Sequence, residues 1–300
     1  MIARKNLLQL VAAALLALAP LAGAAIVSEG PGLGVTTDWA GVGMVGSATT
    51  FSGTGTLIGT HSILTAAHVV EGLAANGARF QINGVTYTSS AIAINPNYTG
   101  GDDADVAVIT LAQDILSVPF YQYNTGTLNE LTAGPGIKVG FGVGGNGTTG
   151  AQPGLYPYGT KRAGSNMIDM VTTNPTHVTD AYGQGMTVPA GMLLYDFDNH
   201  LTGTNGPLGG AAVGSNEIDT ADGDSGGPMF QFSAALNAYI ITGITIGGTD
   251  ANSRYGDIAN DLRVASYSTW IASQVPEPTS LGTISLALLC TRRRRRSSLA

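Results

Sequence analysis

The stretch DTADGDSGGPMF, Asp219 to Phe230, runs into an apolar strand pattern yet packs three glycines and a proline around Ser225. Each of these weakens regular strand pairing, and a plain turn needs one glycine or two. A serine used as a nucleophile accounts for the excess. Its hydroxyl needs a neighbouring base, usually histidine, to take the proton during attack, and backbone N–H donors to hold the oxyanion that forms. Gly223, with no Cβ, lets the chain turn its N–H into the same hollow as that of Ser225. Gly226 and Gly227 keep the space behind the nucleophile clear.

Of the four histidines, His61 sits in a turn, and His177 and His200 lie in polar, loop-like stretches. His68 differs. It follows LTAA at the end of an apolar strand pattern, where Ala66 and Ala67 let the backbone pack closely. A third group must fix the tautomer of that imidazole and balance its transient charge. Asp105 opens DVAVITL, a near-continuous apolar run that reads as a buried strand, so its carboxylate stands at the mouth of that strand. Asp102 and Asp103 read as solvated turn residues.

The surrounding pattern is all-β. Glycine numbers 43 and charged residues make up 11% of the chain, which argues against helical bundles. Val-, Ile-, Thr- and Tyr-rich segments alternate with Gly and Asn clusters. In FSGTGTLIGTHSILTAAHVVEG, two strands flank a Gly-Thr turn and a helical turn begins near Ala66. FQINGVTYT carries the hairpin signal Asn83-Gly84. Residues 112–136 are turn-rich and read as a crossing from one half to the other. IKVGFGVGG, NMIDMVT, GMLLYDFD, PMFQF and AYIITGITIGG give strands of a second half. Val264, Tyr267, Trp270 and Ile271 recur at helical spacing near the end.

Taken in order, LTAAH, DVAV and GDSGGP resemble the trypsin/chymotrypsin-like serine peptidases over roughly residues 26–274. The resemblance implies two antiparallel six-stranded β-barrels, 26–133 and 134–274, the second ending in a helix, with the active site between them. It implies catalytic roles for His68, Asp105 and Ser225, an oxyanion hole from the N–H groups of Gly223 and Ser225, a protein or peptide substrate, an acyl-enzyme intermediate and no cofactor or metal. It further implies an activation pair, in which a new N-terminus at Ile26, exposed by cleavage after Ala25, pairs with Asp224. Cleavage after Ala24 is the competing expectation. Asp219, six residues before Ser225, stands where trypsin-like members carry the aspartate at the base of the specificity pocket, which implies cleavage after Arg or Lys. Ile246 and Gly247 stand where the family usually shows Ser and Trp. With Gly248 they make a wider pocket, and Ile246 cannot donate a hydroxyl toward Asp105. The alternatives are a catalytically silent matrix or adhesion protein on the same fold, and an esterase using the same residues. Asp196 to His200, DFDNH, has oxygen ligands at alternate positions that suit Ca²⁺ but lacks the glycine and distal glutamate of the standard loop, so it reads as a solvated turn.

Both ends read as addresses. Arg4 and Lys5 precede an apolar run from Leu7 to Ala19 and small residues through Ala25, the pattern of a secretory signal over 1–25. Residues 275–300 hold Val275-Pro276-Glu277-Pro278, an apolar stretch to Cys290 and Arg292 to Arg296. This resembles the PEP-CTERM sorting tail of Gram-negative bacteria and implies an exosortase-type partner, transient membrane contact and a secreted or envelope location. A weak tail anchor held by its basic cluster is the other reading. Between the ends, 6 Lys/Arg stand against 19 Asp/Glu, a formal −13, which makes nucleic acid an unsuitable partner. Cys290 is the single cysteine, so the body forms no disulfide of its own.

Overall fold

Alternation in the first half builds a closed barrel. The computed structural model describes residues 25–28, 34–203, 206–210 and 212–275. The segment expected as a secretory signal, apart from Ala25, and the one expected as a sorting tail, apart from Val275, lie outside the described residues. After a short strand β1 (Ala25–Val27) come β2 (Val42–Gly46), β3 (Phe51–Leu57), β4 (Ser62–Thr65), the single helical turn α1 (Ala67–Val70), β5 (Arg79–Ile82), β6 (Val85–Ile94) and β7 (Ala107–Leu111). The barrel closes in the order β2-β3-β4-β7-β6-β5. In β5, Phe80 and Ile82 point inward between Arg79 and Gln81, the period-two pattern of a strand with one buried face. Asn83 and Gly84 join β5 to β6 with φ of 51° and 77°, the left-handed pair that a two-residue hairpin demands. Leu57, Ile63, Phe80 and Ile109, all fully buried, fill the interior; each contributes about 1.5–3 kcal/mol by leaving water.

The second half comprises β8 (Gly136–Gly140), β9 (Gly144–Asn146), β10 (Gly150–Ala151), β11 (Arg162–Asn166), β12 (Met170–Val171), β13 (Thr176–Thr179), β14 (Gly185–Val188), β15 (Met192–Asp196), β16 (Ile218–Asp219), β17 (Pro228–Ser233), β18 (Ala238–Gly248), β19 (Ile258–Arg263) and the helix α2 (Val264–Gln274). Seven of these strands form one sheet, β11-β8-β17-β18-β19-β15-β12. Its two edge strands are consecutive in the chain, with residues 167–169 between them. So short a link spans about 14 Å at most, and the sheet must therefore curl until its edges meet. NMIDMVT, expected as a continuous strand, is the corner that does this. Asn166 pairs with Gly136 at one edge and Met170 with Leu194 at the other, while Ile168 turns inward and is buried.

The expectation that residues 26–133 form one barrel needs a correction. β1 joins the second half: Ile26 pairs with Asp219 and with Gly145, placing β1 between β16 and β9. A three-residue strand cannot bury its side chains alone, and Ile26 and Val27 are fully buried in this position. The crossing segment behaves as read. Ile115 and Tyr121 donate to the carbonyls of Thr60 and Leu57, and Asn124 to that of Ile241. One core cluster runs through both halves, from Val42, Leu64 and Val108 to Phe230, Ile244 and Ile271 on α2, so the lobes are packed together rather than merely linked.

Candidate active site

β4 delivers the histidine. Thr65, Ala66 and Ala67 are fully buried, and α1 begins at once, so the His68 side chain emerges at the end of a rigid strand with 35% of its surface exposed. Asp105 is brought opposite by Ala104, whose φ of 53° turns the chain just before β7. One carboxylate oxygen of Asp105 accepts the His68 backbone N–H at 2.9 Å, and the other pairs with Nδ1 at 2.6 Å. Asp105 is 2% exposed. A carboxylate can only accept, so Nδ1 carries the proton and Nε2 keeps its lone pair for another partner.

The serine loop is fastened to this wall. Thr54 on β3 donates its N–H to the Ser225 carbonyl at 2.8 Å and its hydroxyl to the Gly223 carbonyl at 2.9 Å. The Thr65 hydroxyl in turn holds the Thr54 carbonyl at 2.8 Å. Gly226, with φ of 81°, presses against the same wall: a Cβ there would sit 2.9 Å from the Ala66 nitrogen and closer still to the Thr65 hydroxyl and Thr54 carbonyl. Ser225 is thereby held beside the segment that ends in His68. Among the described residues, the N–H groups of Gly223 and Ser225 have no acceptor within the chain. Two free donors flanking a serine are what an oxyanion requires.

Two contributors escaped the sequence reading. Thr54 lies inside FSGTGT, where nothing but its distance from a strand end marks it. Tyr158, from the loop NGTTGAQPGLYPYGTK, packs its ring where a side chain on Gly223 would go and donates its hydroxyl to the Gly53 carbonyl at 2.7 Å. Burial holds that phenol far above its ordinary range, so it acts as a neutral donor that fixes the loop.

The activation pair is not joined. Ile26 lies within β1, bonded to Ala25 and therefore without an ammonium. The Asp224 carboxylate accepts the amides of Gly142 at 2.7 Å and Ala221 at 3.0 Å. Burial pushes its pKa up to about 6, against the pull of those amides and of Lys138 and Arg162.

A pocket of about 220 Å³ opens beside Ser225, lined by Thr220, Ala221, Thr245, Ile246, Gly247 and Gly248 among others. Ile246 and Gly248 are among these lining residues. Asp219, expected at the pocket base, is 1% exposed and absent from the wall. Its chain neighbour Thr220 lines the pocket instead, because Asp219 is held in β16 against β1 and its Oδ1 accepts the Thr220 amide at 2.7 Å.

The other sequence readings resolve as follows. His61 pairs with Asp114 at 2.9 Å, His177 with Thr187, and His200 with Ser28, all away from the serine loop. Asp102 and Asp103 are tied to the second half, accepting from Asn260 and Tyr267. The Asp196–His200 turn is not solvated: Asp196 and Asp198 are buried and accept the amides of Leu208 and Gly206. Among the described residues, no group of three acidic, His or Cys side chains could hold a metal ion.

A two-lobed β-fold with a His–Asp pair on one lobe and a glycine-flanked serine on the other defines a class. A family model described as trypsin matches residues 37–188, half of the chain, and the chain belongs to the trypsin family. The matched stretch contains His68 and Asp105 and ends before Ser225. Among solved structures the chain is similar to neuropsin, a serine protease expressed in the limbic system of mouse brain. That match has 17% identity and a TM-score of 0.57, covering 82% of this chain and 99% of neuropsin, which is a likeness of fold. No curated protein matches the chain.

Proposed function

We propose that the protein is an exported serine endopeptidase in which Ser225 is the nucleophile, His68 the base and Asp105 its orienting carboxylate. The Ser225 hydroxyl attacks the scissile carbonyl and gives its proton to His68 Nε2. The N–H groups of Gly223 and Ser225 hold the oxyanion. On collapse, the amine leaves with the proton from Nε2, and water repeats the sequence on the acyl-enzyme. The observation that carries this reading is the 2.6 Å bond between His68 and Asp105 beside a serine loop whose two N–H groups are free.

Export, an exosortase-type partner and an envelope location rest on the two terminal segments. Activation by signal cleavage belongs to the same proposal: a cut after Ala25 gives Ile26 an ammonium beside Gly145, close in the chain to the Gly142 amide that binds Asp224. N-terminal sequencing of the secreted protein tests it, and a fully active form starting at Ala25 contradicts it.

A fluorophosphonate probe tests the chemistry. Labelling of the wild type at Ser225 and none of Ser225→Ala is the expected result. A folded wild type that never labels supports the silent scaffold instead.

A further inference from the structure

We propose that Asp219 and Asp257 share one proton between their Oδ2 atoms, and that this leaves neither carboxyl group an oxygen for a basic side chain in the pocket, so that the peptidase cleaves after uncharged side chains. The inference rests on the peptidase reading above and names the substrate class of that site.

The two carboxyl groups face each other, and each residue is 1% exposed. Asp219 Oδ1 accepts the Thr220 amide at 2.7 Å. Asp257 Oδ1 accepts the Thr249 hydroxyl at 2.6 Å and the amides of Asp250 and Ile258 at 2.6 and 2.7 Å. What remains is Oδ2 of each residue, buried and with no N–H or O–H donor. Two ionised carboxylates cannot bond to one another, and leaving two buried acceptor atoms unpaired is costly. A single proton satisfies both. It belongs on Asp219, because three donors stabilise the Asp257 anion and only one reaches Asp219. Burial, and the charge of Asp257 beside it, hold the Asp219 carboxyl well above the usual range.

The remaining charges nearby are committed elsewhere. The Lys138 ammonium lies 2.5 Å from Asp261, whose same oxygen accepts the Tyr195 hydroxyl. Asp250, on the pocket wall, is bound by Arg254 Nε at 2.8 Å. Asp222 lines the mouth, where it is exposed and screened. Asp257 Oδ2 sits behind Gly248, 2.8 Å from where a Cβ would lie. No carboxylate oxygen of Asp219 is therefore left for a guanidinium or ammonium. The accessible walls are Ala221, Ile246, Ala251 and two glycines, with the hydroxyl residues Thr220, Thr245 and Ser253 between them.

The test is hydrolysis of a peptide library varied at the residue whose carbonyl is attacked, using the purified secreted protein at neutral pH. Uncharged side chains should be preferred over Lys and Arg by at least roughly tenfold in kcat/KM. In Asp257→Asn the amide can donate to Asp219 and release its proton, and the ratio should move toward Lys and Arg by roughly tenfold. A second measurement does not depend on that variant folding. The infrared carbonyl band of a buried protonated carboxyl should be present in the wild type at neutral pH and diminished in Asp219→Asn. A wild type that prefers Lys or Arg, or an infrared difference lacking that band, overturns the proposal while leaving the peptidase reading intact. Failure of the wild type to cleave any member or to label with fluorophosphonate overturns both.

Discussion

At the scale of the residue, the site depends on what each polar atom is bound to. Asp105 spends both oxygens on His68, one on the backbone and one on the ring. Asp105→Asn keeps the shape but offers Nδ1 a donor, and so favours the wrong tautomer; by analogy with such triads, kcat should fall about 10⁴-fold with little change in KM, read from steady-state kinetics. Lys138 tests a different principle. It is buried, paired with Asp261 at 2.5 Å and bonded to the Thr245 hydroxyl. Lys138→Met strands the Asp261 charge in the core and should destabilise the protein by about 3–5 kcal/mol in urea unfolding. A double Lys138→Met, Asp261→Leu variant should recover part of that loss. The candidates His68 and Ser225 stood out in the sequence because GDSGG breaks a strand pattern and His68 follows the small residues of LTAA at a strand end. The placing of Asp219 off the pocket wall was not legible, because a carboxylate six residues before a serine says nothing of Asp257, which lies 38 positions further on and in the proposed account accepts the proton that Asp219 carries.

At the scale of the element, close backbone approach does the positioning. β3 and the end of β4 grip the serine loop through Thr54 and Thr65, and Gly226 fits only because it lacks a Cβ. Gly226→Ala sets a methyl against backbone atoms and forces a positive φ on alanine, so it should cost at least about 2 kcal/mol. The urea midpoint measures the loss, with labelling at Ser225 reduced in parallel. Strands with a clear alternation or a hairpin turn, such as β5 and β6 around Asn83-Gly84, could be read directly. The short strands β1, β9, β10 and β16 could not. Each has two or three residues, too few for periodicity to register, and they exist because tertiary pairing, of Ile26 with Asp219 and Gly145 and of Gly150 with Asn146, supplies their hydrogen bonds.

At the scale of the whole molecule, an acidic chain has buried part of its charge. Burial pushes Asp169 up to about 6, Asp196 to about 7 and Glu217 to about 7, with their mutual repulsion adding to it. These groups bind protons more tightly folded than unfolded, since an unfolded carboxyl titrates near 4. Their stabilising contribution is therefore complete below about pH 4 and lost as the pH rises through about 6–7. Melting temperature should fall between pH 5 and pH 8, and Glu217→Gln should flatten that fall. The two-lobed plan was legible from the turn-rich crossing at residues 112–136. The assignment of β1 to the rear lobe was not, because a strand's partner is decided by three-dimensional pairing and not by its place in the chain.

The central claim is that His68 on one lobe and Ser225 on the other act as one unit. Single-turnover cleavage of a peptide by the wild type, His68→Ala, Ser225→Ala and the double variant measures that coupling. Each single change should slow acylation by about 10⁶-fold, and the double variant should be no slower than Ser225→Ala. Losses that multiply in the double variant, or a His68→Ala protein that keeps the wild-type rate, would contradict the account.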